Sequence, residues 1–236
     1  RTMTENSIKG KELIILARTL HAFDEYINIM KDILTTYDDT VLIEAKRIDG
    51  STLFRLPACD TDLRINLSQL SYLDLDEDAV YYTRLSKDNF EIYNEKESYL
   101  LGLSNAPVGR KIPVLSSIAD KTPVEASISQ ADLRRFMMTC NNYVPDSSCI
   151  RFHTDPLGGI IMSNSDKKYN FHLNGIFTGG KHSSIIYHRF LFRLAGVMSG
   201  EVKISFGTNY PVRFEWTNCG YSYLAYIVPI PGGRLE

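Results

Sequence analysis

At 236 residues the chain has room for one large or two small domains, each able to bury a core of its own. Apolar residues at 44% and charged residues at 23% are those of an ordinary globular protein. A net charge of −2 gives no global attraction to nucleic acid, so any binding of a polyanion requires cations gathered locally. No apolar run is long enough to span a bilayer and no signal-peptide pattern opens the chain, so no membrane association is expected, and Met3 reads as the natural start behind Arg1 and Thr2. The cysteines, Cys59, Cys140, Cys149 and Cys219, are widely spaced and form no CxxC pair; free thiols in a reducing compartment are expected.

In chain order, residues 8–23 read as a helix, with Leu13, Leu16, Ala17 and Leu20 on one stripe and Lys11 and Arg18 away from it. Residues 26–33 alternate like a strand, with Ile27 and Ile29 on one face. Residues 41–47 and 51–56 flank Asp49-Gly50, a strong hairpin signal. Residues 63–73 change period, and Leu67, Leu70 and Leu73 suggest a short second helix that ends in the acidic run 74–78, read as a solvated loop. Three strands follow at 79–85, 90–93 and 98–103.

From residue 104 to 123 Pro107, Pro113 and Pro123 interrupt every period, which marks an extended connector carrying the apolar knot Ile112-Pro113-Val114-Leu115. The expected organisation is a first domain over 1–104, a connector over 105–123 and a second domain over 124–236. In the second domain a strand at 124–128 leads into a helix over 129–143, with Ser129 as N-cap and Asp132 in its acidic first turn. Its buried stripe is Leu133, Phe136, Met137 and Cys140, and Arg134 and Arg135 fall off it. A hairpin spans 148–154 and 159–163, and 169–174 is another strand. Residues 185–198 read as a helix, or a strand running into one, with Phe190, Leu191, Leu194 and Val197 inward and Arg189 and Arg193 opposite. The chain closes on a three-strand meander over 202–206, 212–216 and 221–228, where Phe214 and Trp216 are core. Each half thus reads helix, strands, short helix, strands: a twofold repeat of architecture.

Motifs for chemistry are scarce. No GxSxG elbow is present, and the histidines His21, His153, His172, His182 and His188 are scattered, so no catalytic residue, metal site or other cofactor is expected. Gly175 to Lys181 has the GxxxxGK spacing of a phosphate loop, but His182 stands where a hydroxyl should hold Mg²⁺, and no apolar strand ending in Asp follows; a Gly-rich turn is the simpler reading. Positive charge is more informative. Lys9, Lys11 and Arg18 fall on the first helix, Arg134 and Arg135 on the next, and Arg189 and Arg193 on the last, while acids collect in loops. Cations segregated onto helices in a net-acidic chain suit one surface that meets phosphates.

With these patterns in hand, the chain resembles the two-domain, trimeric DNA sliding clamps, the group of proliferating cell nuclear antigen and the T-even-type bacteriophage clamps. TNYPVRFEW and YLAYIVPI resemble the family's closing strands, INLSQLSYL the second helix of its first domain, ISQADLRRFM the first helix of its second, and IEAKRIDGSTLFRL a phage-type early hairpin. The resemblance implies an α+β fold of two topologically similar domains, each of antiparallel sheets with two helices. It implies no enzyme but a homotrimeric ring around duplex DNA, closed through sheet edges and tethering DNA polymerase for processivity after loading by a clamp-loader ATPase. It implies work in the cytoplasm, at the site of replication. Lys11, Arg18, Arg134, Arg135, Arg189 and Arg193 are then the expected DNA-facing residues. Ile112, Val114, Leu115, Pro211, Tyr226, Val228 and Pro229 are the expected groove for partner peptides. The alternatives are an atypical nucleotide hydrolase using Lys181, and a clamp-fold factor that forms no ring.

Overall fold

The structure, a computed structural model, describes residues 6–24, 26–30, 33–38, 40–51, 63–66, 69–70, 73–86, 88–104, 122–143, 149–164 and 169–230. The chain divides into two compact units, Arg1–Lys111 with Asn218–Tyr223, and Ile112–Thr217 with Leu224–Glu236. Both are antiparallel sheets with helices, the α+β architecture expected.

The first unit runs β1 (Asn6–Lys9), α1 (Gly10–His21), β2 (Tyr26–Met30), β3 (Ile33–Tyr37), β4 (Val41–Arg47), β5 (Leu63–Asn66), β6 (Val80–Leu85), β7 (Asn89–Tyr93) and β8 (Ser98–Ser104). Its strands lie in the order β1-β6-β7-β8-β5-β2-β3-β4. The core is the α1 stripe, Leu13, Leu16, Ala17 and Leu20, with Ile27, Ile29, Val41, Ile43, Ile65, Tyr81, Phe90 and Ile92 from the strands. Residues Asn218–Tyr223 belong here: Ile48 N–H donates to the Gly220 carbonyl at 2.9 Å and Ser222 Oγ to the Lys46 carbonyl at 3.2 Å.

Three expectations are corrected in this unit. The helix begins at Gly10, because Asn6–Lys9 is a strand registered against β6, and Lys9 leaves the helix with it. A second strand, Ile33–Tyr37, follows β2; its burial is continuous over Leu34, Thr35 and Thr36 rather than alternating, which hides it from a period-2 reading. Residues Leu63–Asn66 are strand β5, paired with β2 and β8, not the start of a helix; helix is described only at 69–70, and Leu67 lies outside the described residues. The acidic run is a loop whose carboxylates face solvent, but its backbone is engaged. Gly10 N–H donates to the Ala79 carbonyl at 2.9 Å and Lys11 N–H to that of Glu77 at 3.0 Å, filling donors that a helix N-terminus otherwise leaves unmet.

The second unit runs β9 (Val124–Ser129), α2 (Gln130–Tyr143), β10 (Cys149–Thr154), β11 (Ile160–Asn164), β12 (Asn170–Phe177), β13 (Ser183–Tyr187), α3 (His188–Val197), β14 (Glu201–Phe206), β15 (Val212–Asn218) as far as Thr217, and β16 (Tyr221–Ile227) from Leu224 onward. The order is β13-β10-β11-β12-β9-β14-β15, then β16. Leu133, Phe136, Met137 and Cys140 from α2 and Leu191 and Leu194 from α3 are buried with Phe152, Val202, Ile204, Phe206, Val212, Phe214 and Trp216. Phe152 packs on Phe206 and Phe214 at 5.8 and 6.0 Å between ring centroids. Ser129 caps α2 as expected: Asp132 N–H donates to Ser129 Oγ at 3.0 Å, and the Ser129 hydroxyl donates to Asp132 Oδ2 at 2.8 Å.

The repeat is visible in the pairing itself. In each unit the strand before the first helix pairs antiparallel with the first strand of the closing meander, β1 with β6 and β9 with β14. In both, that meander continues through consecutive strands, β6-β7-β8 and β14-β15-β16.

Candidate nucleic-acid interface

All six cations singled out from the sequence are solvent-exposed and helical. Lys11 and Arg18 lie on the outer side of α1, Arg134 and Arg135 on α2, Arg189 and Arg193 on α3. They are outside because each helix spends its apolar stripe on its own sheet, which leaves the offset positions to water. Helices α2 and α3 pack against one another, so their four arginines belong to one helical layer of the second unit.

The cations differ in availability. Arg135 donates to Asp132 Oδ1 at 2.8 Å, so its charge is partly met. Among the described residues no carboxylate pairs with Arg134, Arg189 or Arg193, and α3 carries no acid. The Arg189 guanidinium lies over the rings of Phe190 and Tyr187, at 4.8 and 5.5 Å from their centroids. The first unit supplies the opposite sign elsewhere: a cavity of about 460 Å³ is lined by Asp74, Asp76, Glu95 and Glu97 with a single Lys96. Glu97 accepts hydrogen bonds from the Tyr81 and Tyr99 hydroxyls, which hold its carboxyl below the usual range. The acidic lining disfavours phosphates at that cavity.

Sequence reasoning passed over the apolar residues of the same faces. Phe192, three residues after Arg189, is 40% exposed, and Met138, four after Arg134, is 55% exposed. The signal was their spacing from the arginines, which puts them on the outward stripe. Of the expected peptide groove, Pro211, Val228 and Pro229 are at least partly exposed in the second unit, whereas Tyr226 is only 4% exposed and packs inside. Ile112, Val114 and Leu115 lie outside the described residues. The loop at Gly175 is a turn between strands. Gly175 to Phe177 close β12, Gly179 adopts φ +88°, and β13 follows, so no helix N-terminus faces Lys181.

No protein-family model matches the sequence, and no curated protein matches it. Solved structures do match in fold. PCNA of A. fulgidus, solved with the C-terminal region of FEN-1 bound, is 16% identical over 98% of both chains at a TM-score of 0.71. In the PCNA2–PCNA3 complex of Sulfolobus tokodaii the match is 15% identical, over 96% of this chain and 99% of that one, at 0.73. DNA polymerase III subunit beta of Borrelia burgdorferi is 16% identical over 98% of this chain and 65% of its own, at 0.71. The chain has the sliding-clamp fold.

Proposed function

We propose that this chain is the subunit of a DNA sliding clamp, a ring without chemistry of its own that encircles duplex DNA and tethers a polymerase. The observation that carries the reading is the coincidence of a clamp fold over nearly the whole chain with exposed arginines on the helical layer of its second unit, three of which, Arg134, Arg189 and Arg193, pair with no carboxylate among the described residues. Contacts from arginine to phosphate read no base, and a sliding ring needs that indifference. Two clamp-like units per chain suit a homotrimer of six domains closed head to tail. Lys11, Arg18, Arg134, Arg135, Arg189 and Arg193 would line the hole. Pro211, Val228 and Pro229, with Ile112, Val114 and Leu115 of the connector, would take polymerase peptides. A clamp-loader ATPase would open the ring, in the cytoplasm where replication proceeds.

The test joins mass and activity. Light scattering at micromolar concentration should give about three times 26.8 kDa, and the protein should lengthen products of its polymerase on a primed circle once a loader is supplied. Replacing Arg189 and Arg193 by Glu should abolish that stimulation and leave the mass unchanged. A strict monomer, with or without DNA, sinks the ring.

A further inference from the structure

Phe192 is out of place on a surface meant only for phosphates. It lies on the outward stripe of α3 between Arg189 and Arg193, with 40% of its surface in solvent. Its ring stacks on His188, at 5.9 Å between centroids and 20° between planes. His188 is 3% exposed, so this stack rests on a platform anchored in the unit. The phenyl ring is therefore flanked by a buried imidazole while two-fifths of the residue's surface stays in solvent. Tyr187, 38% exposed, and the guanidinium of Arg189 spread over Tyr187 and Phe190 extend the same composition to the start of the helix.

Arginines beside the part-exposed ring of Phe192 match the chemistry of a single strand better than that of a duplex. Within a duplex the base faces are buried in the stack, and exposing one costs unstacking energy. An unpaired base offers its face without that cost, and stacking on an aromatic side chain is tolerant of sequence. We infer that the N-terminal half of α3 is a stacking site for an unpaired nucleobase, so that this face holds a single strand beside a duplex end more tightly than continuous duplex. The inference rests on the DNA-facing reading of α2 and α3 proposed above and adds to it a preferred DNA structure. The arginines supply the phosphate attraction common to both DNA forms, and Phe192 supplies the discrimination.

The experiment is equilibrium binding by fluorescence anisotropy with the full chain, at one fixed salt concentration. The probes are a blunt duplex and the same duplex bearing a single-stranded extension. The extended DNA should bind more tightly. Phe192→Ala should weaken that binding by at least about fivefold and leave the blunt duplex unaffected. Phe192→Tyr, which keeps the ring, should retain the preference, and its thermal midpoint and that of Phe192→Ala, both measured, should match the parent. Arg193→Ala should weaken both probes together. The inference is overturned if Phe192→Ala weakens both probes equally, leaves both unchanged, or alters the oligomeric mass, which would mean that protein rather than a base covers the ring. If the parent binds neither DNA at low salt, the DNA-facing reading falls and this inference with it. If arginine substitution weakens blunt duplex while Phe192→Ala changes nothing, only the stacking site falls.

Discussion

Glu97 and Gly175 illustrate how single residues constrain this chain. The Glu97 carboxylate takes hydroxyl hydrogen bonds from both Tyr81 and Tyr99, and the Tyr81 hydroxyl is pushed up to about 12, first by burial and then by Glu97. The two shifts act at opposite ends of the pH scale. A depressed carboxyl stabilises the fold above its unfolded value of 4.5, and that contribution is lost as pH falls through the lower folded value. A raised phenol stabilises below its unfolded value of 10, and its contribution is lost as pH rises towards about 12. In Glu97→Gln, Tyr81 should therefore ionise at lower pH, read as an earlier rise in phenolate absorbance. The variant's stability should also fall less steeply in acid; identical titrations would remove Glu97 from the account. At Gly175, β12 pairs antiparallel with β9 and the two backbones come close. A Cβ there would overlap the Glu125 carbonyl oxygen and approach Ala126 Cα at 2.7 Å and Ile160 Cδ1 at 2.9 Å. Gly175→Ala should cost about 1–3 kcal/mol, since backbone cannot step aside as a side-chain tip can. The measurement is a thermal midpoint, lowered by roughly 2–4 °C for each kcal/mol in a chain of this size. In the sequence this glycine is legible only as part of a phosphate-loop pattern; its constraint, close long-range pairing with β9, leaves no local signature.

Elements were legible where one period ruled and were misread where two overlapped. The closing strands β14 and β15 bury Val202, Ile204 and Phe206, and Val212, Phe214 and Trp216; β15 alternates cleanly, β14 also buries Ser205, and both are legible in the sequence. Strand β1 reads as the start of the helix only by continuity, since Ile8, five residues before Leu13, lies well off the α1 stripe; pairing with β6 claims it instead. β5 reads as helix in the sequence because Leu63 and Leu67 continue the spacing of Leu70 and Leu73. Tertiary pairing with β2 and β8 overrides it, as local pattern cannot see a partner strand. α2 was placed to within a residue, because its start carries a local chemical signal. Ser129→Ala removes the acceptor for Asp132 N–H and should destabilise the second unit by ~1 kcal/mol. Ser129→Asp, which can still accept, should restore most of that loss, and chemical denaturation of the two variants checks the pair. Equal stability of parent and Ser129→Ala would mean that water serves the helix end as well as the hydroxyl does. The cations on these helices were legible for the same reason as the cap: offset from an apolar stripe is a local property. Phe192 was not, since an aromatic residue in a helix reads as core unless its neighbours' burial is known.

For the whole molecule, the proposed ring depends on an edge that the repeat leaves open. β8 closes the meander of the first unit and pairs with β7 along Ser98 to Gly102. On its other side β5 reaches only Leu103 and Ser104, so among the described residues no strand is registered against the second edge of 98–102. Leu100, in the middle of that stretch, is 66% exposed. An open strand edge bearing an exposed leucine is an association hazard in a monomer and an asset in a ring, where another subunit's strand satisfies the edge and covers the side chain. A head-to-tail contact of this kind generates a closed ring when the rotation is a third of a turn, and the two-unit chain makes that six domains. Leu100→Glu should therefore shift the light-scattering mass from about three times 26.8 kDa towards that of one chain. Because Leu100 contributes little to its own core, circular dichroism and the thermal midpoint of the dispersed chain should show an intact fold. Polymerase stimulation on a primed circle should be lost together with the trimer, whereas low-salt binding of short linear DNA by the arginines of α2 and α3 should persist. Retention of the trimer in Leu100→Glu would move ring closure to another edge. Loss of the trimer with processivity retained would deny that the ring is what holds the polymerase on its template.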